Sequence, residues 1–222
     1  MFRPRVLAPL ALALVFTAPP VRAEKETFVL DKNHTEIGFK VRHFVSKVSG
    51  RFARFDGTIV LDRARPEESS VDLKIDSTSI DTGVPNRDKH LNSADFFDTA
   101  KFPEISFKST KIAAKGKDTY EITGDLTMRG VTKSVTLTVT ANGFANDGRG
   151  GQKTGFDVSG RLNRKDFGVS WNAVVDQNAM LSDEVDLVIS VEANKPAPKP
   201  AAPPAPAAPA APATAPAAPA TK

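Results

Sequence analysis

No cysteine occurs in the 222 residues, which excludes disulfides, thiol nucleophiles and thiolate metal sites while staying compatible with an oxidising compartment. Histidine is scarce. His34, His43 and His90 are the three, and none stands at HExxH or His-x-His spacing, so the close-spaced signals of a metal site are missing. No serine lies in a GxSxG elbow, and no Ser-His-Asp order stands out. Gly148-Arg149-Gly150-Gly151 joins alternating segments rather than opening a helix, which argues against a dinucleotide loop. The middle of the chain also lacks a surplus of positive charge. Of 30 basic residues, Arg3, Arg5, Arg22, Lys195, Lys199 and Lys222 belong to the two ends, against 26 acids elsewhere. The central part is slightly acidic and offers no nucleic-acid surface.

The ends differ from the middle. Residues 1–23 join Arg3 and Arg5 to the apolar stretch Val6–Ala18 and to small residues in Val21-Arg22-Ala23. That is the pattern of an export signal, too short to span a bilayer, and it predicts a periplasmic chain beginning at Glu24 without stable membrane insertion. A retained N-terminal anchor is the alternative, opposed by Pro19-Pro20. Residues 195–222 are almost wholly Ala and Pro. Such a segment buries too little apolar surface to order itself and is expected to form a disordered, polyproline-like tail. It is either simply solvated or in contact with envelope components. Residues 24–194 make one domain with a sizeable core.

Within that domain, apolar residues recur at every second position. Ile37/Phe39/Val41, Ile59/Leu61, Val71/Leu73/Ile75, Ile105/Phe107, Tyr120/Ile122/Leu126, Val135/Leu137/Val139, Phe156/Val158/Leu162 and Val185/Leu187/Ile189/Val191 each predict a strand with one dry face. With Phe28–Leu30 there are eight or nine. Short joints, such as Met128-Arg129-Gly130, make successive strands antiparallel. No long amphipathic helix is present to cover the dry face, so the sheet must pack on a second sheet or close into a barrel. An eight-stranded closed barrel has room inside for filling side chains or one small ligand. The exception is Asp81–Pro103, where residues 86–98 are expected to make one or two helical turns ended by Pro103.

Several motifs, in order, resemble the YceI-like family of exported polyisoprenoid-binding proteins. They are HTEIGFKVRHF (34–44), VSGRFARFDG (48–57), Asp76–Thr82, RDKHL (87–91), SADFFD (93–98), KFP (101–103), GDLTMRGVTK (124–133) and NRKDFG (163–168). The resemblance covers about residues 27–193 and implies an all-β, antiparallel, extended, lipocalin-like eight-stranded β-barrel with a short helical lid. It implies a bound isoprenoid lipid of quinone or polyprenyl phosphate type, no covalent cofactor and no enzymatic activity. Resemblance and alternation together give an expected cavity lining. The walls would supply Phe39, Val41, Phe44, Phe52, Phe55, Leu73, Ile75, Ile105, Phe107, Leu126, Leu137, Phe156, Phe167 and Trp171. A lid over residues 85–102 would turn Leu91, Phe96, Phe97 and Phe102 inward and Arg87, Asp88, Lys89, Asp95 and Asp98 to water. The alternative is a loop plug that fills the core. His43, Arg42 and Arg164 are candidates for contacting a lipid head group, against plainer roles as a structural histidine and solvated charges. A monomer and a homodimer stay equally open. The competing function is a structural or interaction protein of the envelope with a packed barrel; an enzyme acting on a lipid head group stands third.

Overall fold

The computed structural model describes residues 24–175 and 178–195; the leader, and the Ala/Pro tail beyond Lys195, lie outside the described residues. In chain order the elements are β1 (Glu26–Leu30), β2 (Glu36–His43), β3 (Ser46–Phe52), β4 (Phe55–Leu61), β5 (Ser70–Asp76), β6 (Ile80–Asp81), α1 (Pro85–Asn92), β7 (Glu104–Ala114), β8 (Thr119–Met128), β9 (Val131–Asn146), β10 (Gln152–Asn163), β11 (Val174–Val175), β12 (Asn178–Ala179) and β13 (Leu181–Lys195).

Three of the barrel's staves are broken in two. β1 and β2 lie in line along one edge of β13, with Val29 opposite Asn194 and Ile37 opposite Ile189. β3 and β4 follow them as a second broken stave, with Phe52 opposite Ile37 and Thr58 opposite Val29. β5 and β6 make the third. β7, β8, β9, β10 and β13 complete an up-and-down meander, and the pairing of β1 and β2 with β13 closes it into an antiparallel barrel of eight strands. Closure leaves no long free edge.

Local chemistry holds the breaks. At the second, the Ala53 N–H donates to the Ser79 carbonyl at 3.1 Å and the Arg54 N–H to Ser79 Oγ at 2.9 Å. At the third, Ser77 is buried and its hydroxyl donates to the Phe102 carbonyl at 2.8 Å, tying the stave to the end of the lid. β7 pairs with β5 only from Asp72 to Asp76, so the wall alongside β6 has no strand on its far side. Residues 82–103, including α1, fill that gap.

The β8–β9 turn has Arg129 and Gly130 both at positive φ, 51° and 75°, as a two-residue hairpin loop with the twist of its strands requires. The absent Gly130 side chain makes room for Phe102, whose Cε1 would be 2.8 Å from a Cβ there. The Arg129 guanidinium reaches across, donating to the Ala94 carbonyl at 2.7 Å and to the Gly168 carbonyl. It thereby fastens the lid to the turn after β10. Alternation alone misses β3, because SKVSGRF places glycine where an apolar inward residue is expected. The ring of Phe39 occupies that space, and a Cβ on Gly50 would lie 2.4 Å from it.

Candidate functional site

The inward faces enclose one cavity of about 590 Å³. That is the size range of small-molecule sites, and the lining is overwhelmingly aliphatic and aromatic. It runs lengthwise: on β13 alone the lining extends from Leu181 to Val191. At ~3.3 Å per residue and the ordinary strand tilt, that span is roughly 25 Å along the barrel axis.

Most expected lining residues are brought together. Phe39, Val41 and Phe52 come from the first two staves, Leu73, Ile75, Ile105 and Phe107 from β5 and β7, and Leu126, Leu137 and Phe156 from β8, β9 and β10. Leu91, Phe96 and Phe97 enter from the lid, and Trp171 from the segment after β10. Phe97 meets Phe52 edge to face at 5.8 Å, while Phe96, His90 and Trp171 form a three-ring cluster with centroids 4.9–5.1 Å apart.

Four apolar residues do not line it. Phe44 sits at the β2–β3 hairpin tip at φ 49°, with 41% of its surface exposed. Phe55 is buried in the core but follows the break at 53–54, and its other side borders a shallow outer depression beside residues 32–36. Phe102 packs beneath Gly130, and Phe167 is fully buried in the core from the short 3-10 turn at 164–167. The lid polarity also needs correction. Arg87 turns toward the cavity, donating to the Thr82 carbonyl at 2.8 Å and to its hydroxyl at 2.7 Å. Asp88 accepts from the Thr82 N–H at 2.9 Å and is half-buried. Asp98 is buried, in a tight turn at φ 48° that the Phe102 and Lys101 N–H groups close.

Among the head-group candidates, Arg42 points outward, because side chains alternate along β2 and its neighbours Val41 and His43 point in. Arg164 borders the cavity at 5% exposure, but its guanidinium is already engaged. It donates to the carbonyls of Trp171 (2.7 Å), Val169 (2.8 Å) and Ser182 (3.0 Å) and to Asp183 at 3.2 Å. Burial lowers its pKa, and the Asp183 carboxylate works against that. This is a tie that positions Trp171 rather than a free cation. His43 lines the cavity, stacked edge to face on Phe44 at 4.9 Å, and its ring has no hydrogen-bond partner among the described residues. His90, which the sequence reading left out of the site, lines it too and bonds Asp95 through Nε2 at 2.9 Å.

The opposite end is closed by a polar turn. Asp62 is buried and accepts from the N–H groups of Ala64 and Arg65 and from the Arg65 guanidinium. Burial pulls its carboxyl up, and these partners outweigh it, holding the carboxyl below its ordinary range. An Asp three residues before Arg65 and four before Pro66 is a turn signal that sequence reading passed over. Outside the barrel, Asp31, His34 and Glu192 converge at the first break, but Lys153 already supplies the cation, 2.5 Å from Glu192 and 3.6 Å from Asp31.

This arrangement is matched by known proteins. The family model of the YceI-like domain matches residues 28–193. The chain belongs to the YceI-like family. "Protein YceI" of Escherichia coli O157:H7 is 40% identical over 181 residues, covering 81% of this chain and 92% of that one. The crystal structure of Burkholderia cenocepacia BcnA superposes with a TM-score of 0.65 at 26% identity, covering 73% of this chain and 98% of that one. A polyisoprenoid-binding domain from Saccharophagus degradans, implicated in plant cell wall breakdown, shares the fold at a TM-score of 0.53 and 13% identity, covering 78% and 100% of the two chains.

Proposed function

We propose that this YceI-like protein binds, stores or carries one long-chain isoprenoid lipid in the bacterial envelope, with residues 1–23 directing export to the periplasm. The observation that carries the reading is the lengthwise apolar cavity inside a closed barrel, lined from every stave and capped by Phe96, Phe97 and Trp171. Each ångström squared of lipid tail withdrawn from water contributes about 25 cal/mol, and a barrel held by continuous ladders keeps the ordering cost low. The polyisoprenoid-binding neighbour supports the choice of chain. The residues provide apolar contact and a rim of imidazoles; no nucleophile-base pair is assembled among them, which favours carriage over catalysis.

Trp171 gives the test. It is the only tryptophan, and it borders the cavity. Titrating delipidated protein with a polyprenyl alcohol should change its fluorescence saturably at one ligand per chain, and more tightly than a straight-chain alcohol of equal carbon number. Absence of saturation with either would remove the carrier reading.

A further inference from the structure

The lid end of the barrel exposes large apolar side chains where each continues the cavity wall outward. At the β2–β3 tip, Val45 is 95% exposed and Phe44 is 41% exposed. They follow His43, which lines the cavity. Val174 is 72% exposed and adjoins Ala173, whose carbonyl accepts from the N–H of the lining residue Met180. The Met180 carbonyl in turn accepts from the Phe44 N–H at 3.0 Å, so the two hairpins are neighbours. Val84, 44% exposed, begins α1 two residues after the lining residue Thr82.

A two-residue hairpin loop ordinarily carries Asn-Gly, which tolerates positive φ. Here Phe44 takes the positive φ, and both Phe44 and Val45 keep apolar side chains in water. The charge around them is basic. Arg42 and Lys47 stand directly opposite each other across the β2–β3 pair, an unfavourable arrangement unless an anion lies near. Lys47 has Asp186, while Arg42 and, on α1, Lys89 have no ionic partner among the described residues. The acids near them are mostly occupied: Asp81 by Arg51, Asp95 by His90, Asp183 by Arg164 and Lys165, and Asp186 by Lys47 and Arg161. Among the described residues Asp88 and Asp166 are the exceptions, without an ion pair, and Asp88 is held by the Thr82 N–H and hydroxyl.

We infer that this rim docks on an anionic lipid bilayer, with Phe44, Val45, Val84 and Val174 entering the interface and Arg42 and Lys89 meeting lipid phosphates. Exposed apolar side chains with unpaired basic groups beside them match such a surface chemically. In a slightly acidic domain, unpaired basic groups beside exposed apolar side chains would favour an orientation with the mouth down. The inference extends the carrier reading by placing exchange of the lipid at this mouth.

The test is co-sedimentation of the delipidated full chain with vesicles of phosphatidylcholine alone or containing phosphatidylglycerol. Binding should require phosphatidylglycerol and weaken at high salt. Arg42→Glu should lower affinity about fivefold for each unit of charge removed. Val45→Asp and Val174→Asp should each lower it about tenfold or more, whereas Val188→Asp, at an exposed site in the middle of β13, should leave it unchanged. Thermal melts confirm that the variants fold. Absence of wild-type binding, or equal binding by Val45→Asp and wild type, overturns the proposal. So does an equal loss in Val188→Asp. Lipid analysis of the same protein separates the two ideas: cargo without vesicle binding leaves the carrier reading standing and the docking rim refuted, and vesicle binding without cargo does the reverse.

Discussion

Replacing Arg164 by methionine should cost about 3–5 kcal/mol of stability, and the structure says why. The side chain is 5% exposed and gathers three backbone carbonyls, those of Val169, Trp171 and Ser182, onto one guanidinium. Methionine keeps the length and most of the apolar contact but donates nothing. Each carbonyl left dry and unpaired costs about 1–3 kcal/mol. Removing a buried charge offsets part of that sum, since desolvating a cation is itself expensive. Arg164→Lys should fall between, because one ammonium cannot reach acceptors arranged around a planar fork. Asp183→Asn should cost under about 1 kcal/mol, as that carboxylate is partly exposed and its attraction is screened. Urea unfolding followed by Trp171 fluorescence measures all three. A loss under about 1 kcal/mol for Arg164→Met would show that water replaces the guanidinium freely, and that the segment bearing Trp171 is not fixed by it.

Phe96→Ala and Phe97→Ala should destabilise lipid-loaded protein more than delipidated protein. Both rings border space that cargo would fill, so the loaded form also loses ligand contact. Denaturant unfolding of both forms checks this, and equal losses would make the lid a mere plug. Gly124→Val should cost about 1–3 kcal/mol by overpacking, because its Cβ would stand 2.5 Å from Phe107 Cζ and from the Lys108 carbonyl. Gly116→Ala, where the nearest atom would be 3.8 Å away, should stay within about 0.5 kcal/mol in the same thermal melts. Acid should weaken the barrel. The Asn194 amide and the Asn33 N–H hold the Asp31 carboxyl well below its ordinary range, and the Thr78 hydroxyl, followed by Arg54, does the same for Asp76. Groups whose folded pKa is depressed stabilise fully above their unfolded values. Melting temperature should therefore be flat above about pH 4 and fall as pH drops below it, and a fall beginning near neutrality would assign the transition to other groups.

The closed barrel was legible because period-two alternation is strong where both neighbours are strands, as at Val135, Leu137 and Val139. β3 was hidden for a packing reason. A large ring on one stave occupies the inward place of the next, so Gly50 stands where Phe39 fills the space, and Gly124 where Phe107 does. Alternation in a single stretch cannot show compensation between stretches. The lid was legible as apolar residues without period, but not its polarity. Arg87 and Asp98 turn in because Thr82 and the backbone at 98–102 give them partners, and those pairings exist only after the chain folds back. Phe44 and Phe167 look alike in sequence, an aromatic beside a charged or basic residue. One lies on a hairpin tip and the other beneath a turn, a difference set by tertiary position. In sequence Arg164 is either a candidate head-group contact or a solvated charge, and its acceptors, up to 19 residues distant in sequence, show it clamping the chain itself.

The central claim is that the barrel interior holds an isoprenoid. The measurement closest to it is mass spectrometry of protein purified from the producing bacterium without detergent. Native spectra should show one added small molecule per chain, organic extraction should release it as a polyprenyl-bearing lipid, and Leu187→Trp, which blocks the middle of the cavity, should abolish it while leaving the fold intact. Protein that carries no lipid as isolated, or a cargo that Leu187→Trp retains at full occupancy, would contradict the account.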